Sequence, residues 1–429
     1  MGQYEEIMKR TRWFREARFG LFLHWGLYSV RAEHEWVKSR KEMTDAEYQQ
    51  YFETFTAENY CPKEWARIAK DAGMKYAVLT TKHHEGFCLF DSEYTDYKAT
   101  NTPAGRDLVR EYVEAFREAG LKVGLYYSLL DWHHPDYPHY GHPYHPARND
   151  ASQGNEHRDF SRYVTYMHNQ IKELMTNYGK IDLLWLDFSY DDMRGEKWRA
   201  TELVNMIRSY QPDILIDNRL GYSEKKPDYD VAPCYCGDFC TPEQLIPPHG
   251  VKDCKGRNIP WEACLTSQSS SWGYRANNEV FMSAKDIVRI LVDCVSNDGN
   301  LLLNVGPNAK GEFPIQTIRN LAEVGAWLRT NGESIYGCGS VDAPLHPFGR
   351  LTQNEKYIYV HLFDKIGNAA QLENVKPCKY GRFLHDGSEA ELKFWNSSLI
   401  EDGNQVVVMP GVTLPDALDT VVRLYPKDN

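Results

Sequence analysis

The chain has 429 residues, 60 of them acidic and 49 basic, for a formal net charge of −11. That balance argues against nucleic acid or an anionic membrane surface as the partner, and no apolar run approaches the roughly 20 residues of a membrane-spanning helix. With 42% apolar residues the chain can bury a large core, and its length exceeds the roughly 250 residues of a (β/α)8 barrel, so one large domain plus one small one is expected.

In chain order, Arg18-Phe-Gly-Leu-Phe-Leu-His-Trp-Gly26 reads as a strand that closes on His24. A helix over 62–72, with Trp65, Ile68 and Ala69 on one face and Gly73 ending it, leads into a strand over 75–82 that stops at His83-His84-Glu85-Gly86. The unit repeats: a helix over 107–119, stopped by Gly120, precedes a strand over 122–130 ending at Asp131-Trp132-His133-His134. A Pro-, His- and Tyr-rich loop follows, long enough to be a functional loop over a barrel mouth.

The helix over 159–178 leads into Ile181-Asp-Leu-Leu-Trp-Leu-Asp187, whose apolar run is too short for a stand-alone helix and reads as a strand buried on both faces. Asp187 ends it abruptly. Another helix precedes the strand Asp213-Ile-Leu-Ile-Asp-Asn-Arg219, and strands over 261–266 and 300–306 flank a helix over 283–295. That makes seven barrel strands, with the eighth not obvious. From about residue 336 the rhythm changes to alternation, as in Tyr357-Ile-Tyr-Val-His-Leu-Phe363, with turn signals at Gly367, Asp386-Gly387 and Asp402-Gly403. The division expected is a catalytic barrel over 1–335 and an antiparallel β domain over 336–429.

The N-terminus lacks the apolar stretch of a signal peptide, so a cytoplasmic location is expected, or secretion if a leader has been removed. The ten cysteines are too sparse for a disulfide scaffold, and the cluster Cys234, Cys236, Cys240, Cys254 and Cys264 contains no paired C-x2-C element, so free thiols are expected rather than zinc. With 11 Trp and 28 Tyr the chain is rich in planar apolar faces, which suit the C–H faces of sugar rings. No membrane or nucleic-acid partner is expected; a homo-oligomer is compatible with the sequence.

Strand after strand ends in a reactive or hydrogen-bonding side chain: His24, His83-His84, Asp131, Asp187, Arg219. A lone strand-end Asp often only caps the next turn, but convergence of the set on one barrel mouth is what a pocket for a small polar molecule requires. Two chemistries could use it. A divalent metal held by His and Asp is one, but the His residues lack the spaced H-x-H or H-E-x-x-H pattern, and adjacent His on a strand point to opposite faces. No metal or other cofactor is therefore expected. Glycoside cleavage by one ionised and one protonated carboxyl is the other, with Asp187 as the ionised partner beside Arg219 or a His.

Taken in order, Arg18-Phe-Gly-Leu-Phe-Leu-His-Trp-Gly, Glu35-Trp36, Lys82-His-His-Glu-Gly-Phe87, Ser128-Leu-Leu-Asp-Trp-His-His134, Trp185-Leu-Asp187, Trp261-Glu262, Ser271-Trp-Gly-Tyr274 and Asn300-Leu-Leu-Leu-Asn-Val-Gly-Pro307 resemble the hallmarks of the α-L-fucosidases of glycoside hydrolase family 29. The resemblance implies a (β/α)8-like barrel followed by a C-terminal β-sandwich. It also implies exo-acting hydrolysis of terminal α-L-fucosides on glycans, with retention through a fucosyl-enzyme. Asp187 matches the family's nucleophile, while His24, His83, His84, Glu35, Trp36 and Arg219 match residues that bind fucose hydroxyls. Trp185 matches a residue lining that pocket, and Phe22 and Trp272 match the aromatic groups around the fucose methyl.

Two departures stand out: Phe188 follows the nucleophile where Gly is commoner, and Asn218-Arg219-Leu220 replaces a more usual Asp-Arg-Trp. The acid/base lies in no fixed motif. Glu243, in Gly237-Asp-Phe-Cys-Thr-Pro-Glu243, matches the loop position used by bacterial members, and Glu262 is the rival. Loops 133–157 and 220–260 are expected to contact the leaving group. The competing readings are a metal-dependent barrel hydrolase and a non-catalytic carbohydrate-binding barrel.

Overall fold

The computed structural model describes residues 2–221, 226–365, 367–394, 405–408 and 413–427. In chain order the first nine strands are β1 (Phe19–Leu23), β2 (Tyr76–Lys82), β3 (Lys122–Ser128), β4 (Leu183–Asp187), β5 (Leu215–Ile216), β6 (Val251–Lys252), β7 (Asn258–Ile259), β8 (Glu262–Thr266) and β9 (Asn300–Val305). The β6–β7 pair is a small separate ribbon; the other seven form one sheet in the order β5-β4-β3-β2-β1-β9-β8, parallel throughout. These are the seven strands expected from the apolar runs.

Helices α1 (Gln3–Arg10), α2 (Arg12–Ala17), α3 (Tyr28–Arg31), α4 (Val37–Arg40), α5 (Asp45–Thr54) and α6 (Pro62–Asp71) precede β2. Then come α7 (Leu108–Glu118), α8 (Phe160–Asn177), α9 (Ala200–Tyr210), α10 (Ala284–Ser296) and α11 (Ile315–Asn331). Local chemistry sets several starts. The Asp107 side chain accepts from Arg110 N at the head of α7, and Ser283 and Asp286 form a reciprocal capping box at the head of α10. Among the described residues no helix is long and apolar enough to cross a membrane.

The two-residue period of the strands divides the apolar side chains between two layers. Phe22, Val78, Tyr126, Leu183, Trp185, Leu215, Cys264 and Leu302 pack together inside the sheet, with Phe14 of α2 closing the lower end, while Leu21, Leu23, Ala77, Leu79, Leu125, Leu184 and Leu303 pack outward with the helices. Successive residues face different layers, and the strands are consequently buried throughout.

The gap between β5 and β8 is filled by residues 238–244, which are too irregular to form a regular strand. Asp238 N donates to Ile216 O (2.7 Å) on one side; on the other, Glu262 N donates to Cys240 O (3.0 Å), Cys264 N to Pro242 O (3.1 Å) and Gln244 N to Cys264 O (3.0 Å). Parallel bridges pair Asp217 with Phe239 and Glu243 with Cys264. This segment closes the barrel. Pro242 has no N–H to give to a ladder, which explains why no strand pattern marks the segment.

The second unit carries β10 (Gly349–Gln353), β11 (Ile358–Leu362), β12 (Ala369–Leu372), β13 (Cys378–Phe383), β14 (Glu389–Ala390), β15 (Leu392–Phe394), β16 (Gln405–Val408) and β17 (Thr420–Pro426). They form a five-stranded sheet, β10-β11-β17-β13-β14, and a three-stranded one, β12-β16-β15, with antiparallel pairing: a β-sandwich. The expected turn at Asp402-Gly403 lies outside the described residues. In β11 Ile358, Val360 and Leu362 enter the sandwich core while Tyr359 packs against the barrel's outer layer, so the strand is buried on both faces. The contact is tied by Trp327 Nε1 donating to Asp419 O (2.8 Å) and by Arg350 paired with Asp293 (2.6 Å).

Barrel closure rests on Gly237, which has φ +81° and whose Cβ, if present, would fall 2.4 Å from Asp217 O. Gly237→Ala is expected to cost about 1–3 kcal/mol, from the positive φ and the clash with backbone together. A shift in the urea unfolding midpoint checks it.

Candidate active site

Polar groups from several elements converge at the carboxyl ends of the strands. β4 ends in Asp187, and pairing of Ser128 with Asp187 and Tyr126 with Trp185 brings β3 side chains of the same layer beside it. Tyr126 donates its hydroxyl to Asp187 Oδ2 (2.6 Å), and Arg219, in the short helical turn after β5, donates Nη1 to Asp187 Oδ1 (2.8 Å). Both oxygens of Asp187 are thereby fixed. Burial pushes the Asp187 carboxyl upward, but the Arg219 charge and the hydrogen bonds from Tyr126 and Arg219 hold it below the usual carboxylate range.

Arg219 has a second carboxylate. Its Nη2 donates to Glu243 Oε2 (3.0 Å), its Nε donates to Thr241 Oγ1 (2.8 Å), and its guanidinium lies over the Trp185 ring at 4.5 Å. Glu243 sits at the outer end of the barrel-closing segment with its side chain about 44% exposed, against 11% for Asp187. One carboxyl is buried and the other faces solvent, at opposite ends of a single guanidinium.

The three imidazoles lie together beside this pair. His24 and His83 rings are 5.5 Å apart and His83 and His84 rings 4.0 Å apart, all three buried. His83 and His84 do not point to opposite faces as expected, because both lie past the last residue of β2, where the chain leaves the sheet in a turn completed by Gly86 at φ +84°. Burial lowers the His24 pKa to about 3, that of His84 to about 4 and that of His83 well below its ordinary value, so all three are neutral near pH 7.

Their neighbours fix two tautomers. Asn304 donates Nδ2 to Trp272 O (2.7 Å), so its Oδ1 accepts from His24 Nδ1 (2.7 Å); Ser128 donates to Leu130 O (2.8 Å), so its hydroxyl accepts from His84 Nδ1 (2.6 Å). In each ring Nε2 is left as an acceptor for an O–H group. Among the described residues His83 Nδ1, which is buried, has no hydrogen-bond partner. Among the described residues no group of three or more His, Cys, Asp or Glu could hold a metal ion, and all ten cysteines are free thiols.

Aromatic rings complete the pocket. Phe22 packs against Trp185 (5.0 Å), His24 (4.4 Å) and Trp272 (6.0 Å), and Trp36 against His84 (4.9 Å). Trp272 is held by Glu35, whose Oε2 accepts from Ser271 Oγ (3.1 Å) and from the backbone N–H groups of Trp272 and Gly273 (both 3.0 Å). Glu35 is therefore a loop anchor first, with its second oxygen beside His34 (3.3 Å).

Two of the candidate groups lie elsewhere. Asp131 does not join the pocket: its carboxylate is taken up by buried Lys82 (2.8 Å) and by the backbone N–H groups of His133 and His134 (3.0 and 2.9 Å). Glu262 is the first residue of β8, at the foot of the barrel, where it accepts from Tyr76 OH and Trp185 Nε1, both at 2.7 Å. Phe188, the departure next to Asp187, has φ +87°, a conformation that favours glycine.

A family model described as Alpha-L-fucosidase matches residues 3–333. The chain belongs to the α-L-fucosidase family. Rat tissue α-L-fucosidase (Rattus norvegicus) is 34% identical over 76% of this chain and 69% of its own, and human plasma α-L-fucosidase (Homo sapiens) 32% over 76% and 68%. Among solved structures, α-L-fucosidase isoenzyme 1 from Paenibacillus thiaminolyticus is 52% identical with a TM-score of 0.94, covering 98% of this chain and all of that one. An α-L-fucosidase from Bacteroides thetaiotaomicron, trapped as a covalent intermediate with 2-fluoro-fucosyl fluoride using a Glu-to-Gln mutant, is 27% identical with a TM-score of 0.83, over 97% and 95% of the two chains. The enzyme is thus a glycoside hydrolase whose substrate is a fucosylated glycan.

Tyr126, Asn304, Ser128 and Thr241 are contacts that no single-residue reading of the sequence marks out. Tyr126 could have been found from register, since it lies two residues before Ser128 on the face that carries Asp187 across the ladder.

Burial pushes the Glu262 carboxyl up to about 7, with Tyr76 and Trp185 opposing the rise. A folded-state pKa above the unfolded one means the folded chain binds the extra proton between about 4.5 and 7, so wild-type stability falls as pH rises through that window. Relative to Glu262→Gln, which has no such proton, the wild-type urea midpoint is expected to drop between pH 5 and pH 7.

Proposed function

We propose that this fucosidase works with retention, Asp187 attacking the anomeric carbon of a terminal α-L-fucosyl residue and Glu243 serving as acid and then base. The observation that carries the reading is the single guanidinium of Arg219 spanning Asp187 Oδ1 and Glu243 Oε2. A retaining pair needs its carboxyls roughly 5–5.5 Å apart, one ionised and buried, the other able to exchange protons with incoming water. Asp187 and Glu243 meet that division of labour. Glu262 does not, since both its oxygens are engaged by Tyr76 and Trp185 below the pocket floor.

The charge balance fits both half-reactions. At the start Asp187 is anionic and Glu243 protonated; once the ester forms, Asp187 is neutral and Glu243, having protonated the leaving oxygen, carries the negative charge. Arg219 neighbours the anion in either state, so the net charge of the three groups is constant and the cation stabilises both. Water then loses a proton to Glu243 and attacks the anomeric carbon, breaking its bond to Asp187 and returning that residue as the carboxylate beside Arg219.

Neutral imidazoles suit fucose. The free Nε2 positions of His24 and His84 accept sugar hydroxyls, and His83, with its buried unpartnered Nδ1, takes a third. Arg219, Glu35, Trp36 and Trp185 complete this side, while Phe22 and Trp272 offer the apolar surface a 6-deoxy carbon requires. The Bacteroides structure trapped as a covalent intermediate supports the two-step route.

Asp187→Ala is expected to lower turnover by several orders of magnitude, with azide restoring part of it and giving a product of inverted configuration. Undiminished turnover in that variant would sink the assignment. Glu243→Ala is expected to slow fucosides with poor leaving groups far more than aryl fucosides; if Glu262→Ala shows that pattern instead, the two glutamates exchange roles. A chelator is expected to leave aryl fucoside hydrolysis unchanged, whereas abolition would favour a metal hydrolase.

A further inference from the structure

Outside the imidazole pocket, on the Glu243 side, lies a cavity of about 590 Å³ lined by Tyr144, Phe188, Tyr190, Arg219, Glu243 and Leu245 among others. Its volume falls in the roughly 300–1,000 Å³ range of built ligand sites, and none of His24, His83 or His84 lines it. Glu243 lines this cavity and Arg219 links it to Asp187 in the imidazole pocket, so a sugar cleaved from fucose leaves into this space.

One wall is aromatic and locked. Tyr144 meets Phe188 at 4.9 Å and 78° and Tyr190 at 4.9 Å and 87°, edge to face in both cases. Behind them Phe188 rests on Trp36 (5.4 Å) and His84 (5.0 Å), the Tyr190 hydroxyl meets the His142 ring, and Tyr144 O accepts from Ser39 Oγ (2.7 Å). Phe188 holds its ring there from φ +87°, a conformation that costs a phenylalanine and would cost a glycine nothing. All three rings rest on the main core yet remain partly exposed on the side that lines the cavity. Leu245, about 55% exposed, faces the same space.

We infer that this aromatic wall is the seat of the leaving group, taking the apolar C–H face of an uncharged sugar, and that Phe188 makes the enzyme selective for fucosides whose leaving group is a saccharide. The inference rests on the fucosidase reading and names the other half of its substrate. Charge sets the class: among the described residues, the two charged side chains lining the cavity, Arg219 and Glu243, are paired with each other, so they leave no spare charge for an ionic leaving group. Its size admits more than a single ring, so an oligosaccharide fits better than a monosaccharide alcohol.

The test compares two substrates in each enzyme: a fucosylated neutral trisaccharide, and α-L-fucosyl fluoride, whose leaving atom cannot reach the wall. The readout is the ratio of their kcat/KM values. Phe188→Gly relieves the backbone and removes the ring, and the ratio is expected to fall about tenfold or more relative to wild type, one ring-stacking contact's worth. Phe188→Tyr, which keeps the ring, is expected to hold the wild-type ratio. A ratio that stays within about twofold in Phe188→Gly, or that falls equally in Phe188→Tyr, overturns the inference. If wild type releases no fucose from the fluoride, the fucosidase reading itself falls and the inference with it, a result distinct from an altered ratio.

Discussion

One guanidinium organises the site. Arg219 touches the buried carboxylate of Asp187, the solvent-facing carboxylate of Glu243, the Thr241 hydroxyl and the face of Trp185. The contacts gather side chains from β4, whose Trp185 also belongs to the inner aromatic layer, and from the barrel-closing segment. The closing segment matters for chemistry because it carries Glu243, four residues past the inward-facing Phe239 and paired with inner-layer Cys264, to the mouth of the barrel.

Beneath the charges is a layer of support that works by burial and hydrogen bonding. Asn304 and Ser128 orient two imidazoles, and Glu35 pins the Trp272 loop to the pocket. Glu262, at the barrel foot, accepts from the indole N–H of the same Trp185 whose ring supports Arg219. Because these partners are fully enclosed, the pocket arrives organised, and little ordering is left for the sugar to impose. The neutral imidazoles follow from the same enclosure, which disfavours their charged forms.

Much of this was legible in the sequence. The seven parallel strands, the principal helices between them and the change of rhythm near residue 336 follow from apolar periodicity and Gly stops, and the residues past the strand ends supplied most of the pocket. What periodicity could not supply was the eighth position of the barrel, since Gly237 and Pro242 erase the strand pattern that would have revealed it. Asp131 illustrates the opposite failure: a carboxylate past a strand end, like Asp187, but with a buried lysine on the neighbouring strand to consume it. Position alone nominates both; the partner separates them. Phe188 was visible as a departure, and only its backbone angle gives the departure a physical meaning.

The proposed mechanism depends on a covalent bond between Asp187 and the anomeric carbon, and trapping that bond tests it most directly. Incubation with 2-deoxy-2-fluoro-α-L-fucosyl fluoride, which loads the enzyme quickly and releases it slowly, followed by proteolysis and mass spectrometry, is expected to place one fluorofucosyl group on the peptide containing Asp187. A label on any other carboxylate, or turnover of the reagent with inversion and no labelled peptide, would contradict it.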